Sequence, residues 1–236
     1  MIKILPLLLF PFLLHAESYT FSGGKDNVAH TIASRVIIKA YKNAGININP
    51  VFLNLEESLQ QSNAGITDGE IARIATITQL YPNLRMVPVS TMSVEAIAFS
   101  KNTSLDIKSW DDLKGHKLTI AKGAKFIEKG TKDLDRNYAA NINDALELLQ
   151  KDKTDIIVLP KLAGINLIYS KKYHQIKTVS HSLKTLKLYH FVHKKNAHLI
   201  PIITPILQKM QKSGEIAFIK KTHLLKAAKK FSSEKN

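Results

Sequence analysis

The chain has 236 residues, 44% hydrophobic and 22% charged, which suits a folded protein with length for two cores and excludes a disordered tail or a multispanning membrane protein. It has no cysteine, so disulfides, thiolate zinc sites and cysteine nucleophiles are excluded. The net charge is +15, but only four of the 34 Lys+Arg are arginines, and nucleic-acid grooves lean on Arg for bidentate contacts, so no DNA or RNA partner is expected.

Residues 1–16 read as a secretory signal. Lys3 supplies the positive start, Ile4 to Leu14 is an apolar run, and Leu14-His15-Ala16 ends it on a small residue. The run is shorter than the ~20 apolar residues a bilayer span needs, and Pro6 and Pro11 argue against a lasting membrane helix. A buried N-terminal strand is the alternative. With cleavage before Glu17 and no cysteine to carry a lipid, a soluble periplasmic monomer is expected. Its basic surface could then face anionic phospholipid, an acidic membrane partner or an anionic solute. The alternative is a solvated Lys-rich surface.

In chain order, Tyr19 to Ser22 predicts a strand ended by Gly23-Gly24. Val28, Ile32, Val36 and Ala40 predict an amphipathic helix over 27–44, stopped by Gly45. A strand over Ile48–Leu53, a helix from Asn54 to Gly65 and a strand over 66–74 complete a β-α-β-α-β run, the mark of a mostly parallel sheet with covering helices. After Tyr81-Pro82-Asn83, residues 86–89 and 94–99 are extended and 100–108 is a polar linker. Ser109 to Asp112 reads as a capping box. Strands follow at 117–121 and 155–159, with a helix from Asn143 to Lys151 between them and a helical stretch at 161–169. A strand at 186–192, a helix at 199–212 and a basic helical tail close the chain. Lys226–Lys230 is read as a solvated helix end.

No phosphate loop, Gly-x-Ser-x-Gly or His-Glu-x-x-His is present. His190 and His193, three apart on a strand, face opposite sides of the sheet and would not share a metal ion. Asp133 and Asp135 lack the apolar surroundings of a catalytic dyad. No cofactor and no metal site are expected.

Several segments together resemble the family 3 extracellular solute-binding proteins of bacteria. They are Ala33-Ser34-Arg35 to Gly45-Ile46, Glu57-Ser58-Leu59, Asn63-Ala64-Gly65, the block Asp68-Gly69-Glu70-Ile71-Ala72-Arg73, Tyr81-Pro82-Asn83-Leu84, Val87-Pro88, Trp110 to Gly115, Lys122-Gly123, and Leu188 to Lys195 leading to Pro201 and Gly214. The resemblance implies an α/β, two-lobed fold of the type 2 periplasmic binding-protein class. Lobe 1 would be 17–98 plus 187–236 and lobe 2 would be 102–183, with crossovers near Phe99-Ser100 and His181–Leu186. It implies a receptor, not an enzyme, that holds a small polar or anionic solute between its lobes for a membrane permease or a sensor.

In such a fold the ligand lies outside the carboxyl ends of the strands. The resemblance places a carboxylate-binding Arg near Arg73, whose alternative role is an ion pair with Glu70 or Asp68 that fixes the loop. Glu70 and Ser90 lie near it in the same lobe. Gly123 would let the chain pass close to a ligand, flanked by Lys122 and Lys125. Where the family often has an acid for the ligand's ammonium, this chain has Pro160-Lys161. Lys161 either favours an amine-free anion or points to solvent. Tyr19 and Tyr189 could stack on the ligand, with core packing as the competing role, and Trp110 is read as packing. Glu95 is a possible partner behind the site. A dehydratase-like enzyme on this scaffold would have to use Glu70 or Glu95.

Overall fold

A computed structural model describes residues 18–171 and 173–233, without the side chains of Lys171 and of residues past Leu224. The predicted signal segment 1–16 and the Lys226–Lys230 side chains therefore lie outside the described residues.

The first half opens with β1 (Ser18–Gly24), α1 (Val28–Asn43), β2 (Asn47–Leu53), α2 (Leu55–Asn63) and β3 (Gly69–Arg73). The spacing of apolar residues made α1 a helix, and of the predicted stripe Ile32, Val36 and Ala40 are buried while Val28 at its start is half-buried. Asn27 starts it: its carboxamide oxygen accepts from the N–H groups of Ala29 and His30, a cap worth about 1 kcal/mol. Asn54 makes no such side-chain bond to α2. β3 is shorter than predicted because Gly65 closes α2 and Asp68 is tied into the loop, where its carboxylate accepts from the Thr20 N–H (2.8 Å).

Residues 86–89 and 94–99 are not two segments but one strand, β4 (Leu84–Ser100). It pairs with β9 (Lys184–His193) along most of its length, with register shifts around Ser90. Between them the chain builds a second half: β5 (Leu118–Ala121), α3 (Lys125–Gly130), β6 (Asn137–Ala139), α4 (Ile142–Gln150), β7 (Ile156–Pro160), α5 (Lys161–Lys171) and the short β8 (Lys177–Thr178). α3 and β6 were absent from the sequence reading because six and three residues are too few to show a period. Asn141, not Asn143, caps α4, accepting from the Asp144 N–H (3.0 Å). At Ser109–Asp112 only half the capping box forms: the Asp112 carboxylate accepts from the N–H groups of Lys108 and Ser109. Trp110 packs in the second half's core, its ring filling the space a side chain at Gly130 would need. After β9 the chain returns to the first half as α6 (Leu199–Lys212) and α7 (Glu215–Ser233).

The sheet runs β2-β1-β3-β9-β4-β7-β5-β6, with β8 beside β4. Its strand directions position the site. β1, β2 and β3 are mutually parallel, and β3 is antiparallel to β9, which is antiparallel to β4. The first three strands therefore run the same way as β4, toward the second half. β7, with β5 and β6 parallel to it, is antiparallel to β4 and points back. The carboxyl ends of the two parallel sets thus face each other.

The cores segregate in the same way. One cluster joins Phe21, Ile32 and Ile71 to Met92, Leu188, Val192 and Leu207. A smaller one, with Leu59, Leu84 and Phe191, covers the opposite face of that sheet. Farther along β4 the alternation continues: Ala96 and Ala98 enter one cluster of the second half, and Ile97 and Phe99 the other. Each large apolar side chain among these contributes roughly 1.5–3 kcal/mol by leaving water.

The histidines serve the core. His190 is fully buried, with Nδ1 at 2.8 Å from the Glu70 carbonyl oxygen, which therefore accepts the ring's proton, and Nε2 at 2.9 Å from the Tyr41 hydroxyl. His193 lies over Gly65.

Candidate functional site

The carboxyl ends of β1 and β3 carry the densest polar network of the first half. Glu70 is completely buried on β3. Its carboxylate accepts from Ser58 Oγ (2.6 Å), more distantly from Ser22 and Ser62, and from Arg73 Nε (3.0 Å). Arg73 ends the strand. Its Nη2 donates to the Leu55 carbonyl oxygen (2.7 Å) at the start of α2. Two of the guanidinium's three nitrogens are thus held from behind. Nη1 has no partner among the described residues, and the side chain keeps 12% exposure. The ion pair with Glu70 expected as the alternative role is present, and it leaves the Nη1/Nη2 edge able to take a two-oxygen anion.

Tyr189 lies opposite Arg73 on β9, and Ser90 lies opposite Tyr189 on β4, so these three residues share one rung across three strands. Tyr189 is half-buried against the Leu59–Phe191 cluster. The Ser90 hydroxyl is spent on the carbonyls of Met92 (2.8 Å) and Leu188 (3.2 Å), where it ties the register shift. Tyr19 is elsewhere. It sits near the amino end of β1, buried, with its hydroxyl 3.3 Å from His198 Nε2, so it is a core residue and not part of the strand-end site.

From the facing half, the loop after β5 brings Lys122 and Gly123, and the start of α3 brings Lys125. Gly123 adopts φ +94°, the left-handed region, and its N–H donates to Glu128 (2.9 Å). Lys125 pairs with Glu128 at 2.9 Å, and this pair, through the lysine's hydrogen bond first, holds the Glu128 carboxyl below its usual range. Lys122 is exposed and forms no ion pair among the described residues. Lys161 opens α5 but turns to Glu95 on β4, Nζ to Oε2 2.9 Å. Its charge is answered within the protein, so it is neither an unpaired cation at the strand ends nor a purely solvated one.

One group escaped the sequence reading. His30, in the first turn of α1, is buried, and its Nδ1 accepts from the Gly24 N–H (2.8 Å). That bond places the ring proton on Nε2, a neutral donor at the end of β1. The Gly-Gly pair ending β1 just before a capped helix was the available signal.

Burial and charge set the titration of these groups. Burial, reinforced by the Arg73 charge, pushes His30 down to about 3, and burial pushes His190 down to about 4. Burial raises Glu70 to about 7 against the opposing pull of Arg73, Ser58 and Ser22. The histidines therefore stabilise the fold fully above about pH 6.5 and lose that contribution as pH falls toward their folded values. Glu70 acts oppositely: its contribution is complete below about 4.5 and fades as pH rises through about 7. Two histidines outweigh one carboxyl. Urea unfolding is expected to show a net loss on the order of 3 kcal/mol between pH 7 and pH 4. A protein more resistant to urea at pH 4 than at pH 7 would contradict these assignments.

No protein-family model and no curated protein matches the sequence. The structure, however, is similar to many solved ones. The ligand-binding core of GluR0 in complex with L-glutamate superposes with a TM-score of 0.70 at 16% identity, over 89% of this chain and 99% of that one. The fold is that of a two-lobed type 2 periplasmic binding protein. The second substrate-binding domain of a putative amino acid ABC transporter from Streptococcus pneumoniae gives 0.68 at 19% identity, over 87% of this chain and 99% of that one. A histidine kinase sensor domain with similarity to periplasmic binding proteins gives 0.66 at 16% identity, over 87% and 95%. These neighbours are binding and sensor domains, and the fold they share supports ligand binding.

Proposed function

We propose that this chain is an exported receptor that captures a small polar or anionic solute, an amino acid or carboxylate, between its lobes and presents it to a membrane importer. The facing carboxyl ends of β1–β3 and β5–β7 carry this reading, because they aim strand ends and helix starts from both lobes at one gap. Arg73 would take the carboxylate through its Nη1/Nη2 edge, with Glu70 and the Leu55 carbonyl fixing the guanidinium plane. His30 Nε2 and Lys122 are the further donors. The Lys161–Glu95 pair supplies no unpaired acid for a ligand ammonium, which favours a solute whose binding rests on its carboxylate.

The lobes in this reading are 17–92 with 188–236, and 96–183, in place of the expected 17–98 with 187–236, and 102–183. The pivot falls at 93–95 and 184–187 rather than at Phe99-Ser100, since Ala96–Phe99 already pair with β7 and sit in the second lobe's core. Ligand would shift an open–closed equilibrium about that pivot. Residues 1–16 as a cleaved signal would place the protein in the periplasm as a soluble monomer. A sensor partner is the second reading, motivated by the histidine kinase sensor domain among the structural neighbours. Catalysis is disfavoured by the state of its two candidate acids: Glu70 has no exposure and Glu95 is paired to Lys161.

A thermal-shift screen of amino acids and dicarboxylates tests the proposal. A solute at one hundred times its Kd should add about 2.7 kcal/mol of stability. It should also shrink the radius of gyration in small-angle scattering. Stabilisation without compaction would rule out capture between closing lobes, and a screen in which no carboxylate stabilises the protein would refute the ligand class.

A further inference from the structure

A groove of about 480 Å³ runs between α5 of lobe 2 and α7 of lobe 1, starting beside Lys161, the residue that follows β7. Each wall is one stripe of a helix. On α5 the stripe is Leu162, Ile165 and Tyr169, with the Lys161–Glu95 pair closing the end nearest β4. On α7 it is Ala217, Lys220, Lys221 and Leu224, spaced i, i+3, i+4, i+7. The surface inside is overwhelmingly apolar, although the site is open to water and Tyr169 stays 70% exposed. Apolar surface left wet in this way is unfavourable unless something covers it.

The rim is cationic. Lys220 and Lys221 form no ion pair among the described residues, and no acidic residue occurs between Glu215 and Glu234. The volume suits a small molecule and is too small for a diacyl lipid. We propose that the α5–α7 groove is a second binding site, for a single-chain anionic amphiphile whose alkyl chain lies along Leu162, Ile165 and Ala217 and whose head group meets Lys220 and Lys221. An apolar tail alone would satisfy the walls but not the lysines. A cationic head would be repelled by them. Because the walls belong to different lobes, an occupant bridges the two bodies whose movement the solute-binding reading invokes, but the site itself does not depend on that reading.

Isothermal titration of the full chain with dodecanoate, dodecyl phosphate and dodecyltrimethylammonium, all below their micelle concentrations, tests this. Saturable one-to-one binding of the two anions is expected, with the cation at least tenfold weaker. Lys220→Glu combined with Lys221→Glu should cost tenfold or more for the anions. Ala217→Trp, a substitution at an exposed position, should fill the groove and abolish binding with the circular dichroism spectrum unchanged. Equal binding of the cation, anion binding that survives Ala217→Trp, or no saturable binding would overturn the proposal. So would association with anionic phosphatidylglycerol vesicles that is indifferent to Ala217→Trp, which would mark a membrane-facing surface instead. Arg73→Ala should leave dodecanoate binding intact, so this site fails or stands separately from the solute site.

Discussion

Gly69→Ala is expected to remove most of the protein's folding free energy. A Cβ there would lie inside van der Waals contact of the Phe191 carbonyl oxygen and 2.7 Å from Val192 Cα. Both obstacles are backbone of β9, the central strand that pairs with β3 on one side and β4 on the other. No side chain can rotate away, so relief requires prising β3 from β9. That would also strain the Asp68 loop, whose carbonyl accepts from the His193 N–H (2.7 Å) and whose carboxylate pairs with Lys195 (3.1 Å). The cost should exceed about 4 kcal/mol, a large share of the 5–15 kcal/mol typical of a native domain. Gly45→Ala is the comparison. Its φ of +73° is also unfavourable for alanine, but nothing lies near the added atom, so the loss should stay near 1–2 kcal/mol. Urea midpoints of the two variants check the argument, and equal losses would show that close approach to β9 is not what position 69 requires.

Arg73→Ala is expected to abolish solute binding. Loss of a bidentate, charge-assisted contact should weaken a carboxylate ligand by about a hundredfold or more. The ligand-induced stabilisation at the same concentration would then fall from about 2.7 to below about 0.5 kcal/mol. The substitution also strands Glu70, fully buried, without its cation, so some loss of apo stability comes with it. Arg73→Ala with Glu70→Gln removes both charges and should regain part of that stability while remaining unable to bind. Arg73→Lys keeps a charge but not the fork and should bind weakly. If the double variant binds as the unsubstituted protein does, Arg73 belongs to the fold alone and the ligand's anion is held elsewhere.

The block from Asp68 to Arg73 shows how far a sequence can be read. Its residue types signalled a special segment, and Asp68, Glu70 and Arg73 all turn out to have defined partners. What could not be read was direction: whether Arg73 meets Glu70 or a ligand depends on a guanidinium held by Ser58-bound Glu70 and by the Leu55 carbonyl, groups 3 to 18 residues away in the chain. Lys161 presented the same difficulty, because its partner Glu95 lies on a strand 66 residues earlier. Tyr19 failed as a site residue for a related reason. The Gly23-Gly24 stop already put it at the amino end of β1, and only the strand directions show that the gap lies at the other end.

Composition, the 3.6-residue stripes of α1 and α6 and the glycine punctuation were local properties, so they determined by themselves that this is an α/β chain of two βα sets. The resemblance in motif order added the two-lobed arrangement. Only the tertiary structure decided that β4 and β9 are continuous strands carrying the chain between lobes, and that the strand ends confront one another. It alone set α5 beside α7, with the groove between them open among the described residues. The physical reason is that the continuous strands come from pairing between residues roughly 90 to 110 positions apart, where register and burial, not local propensity, set the outcome.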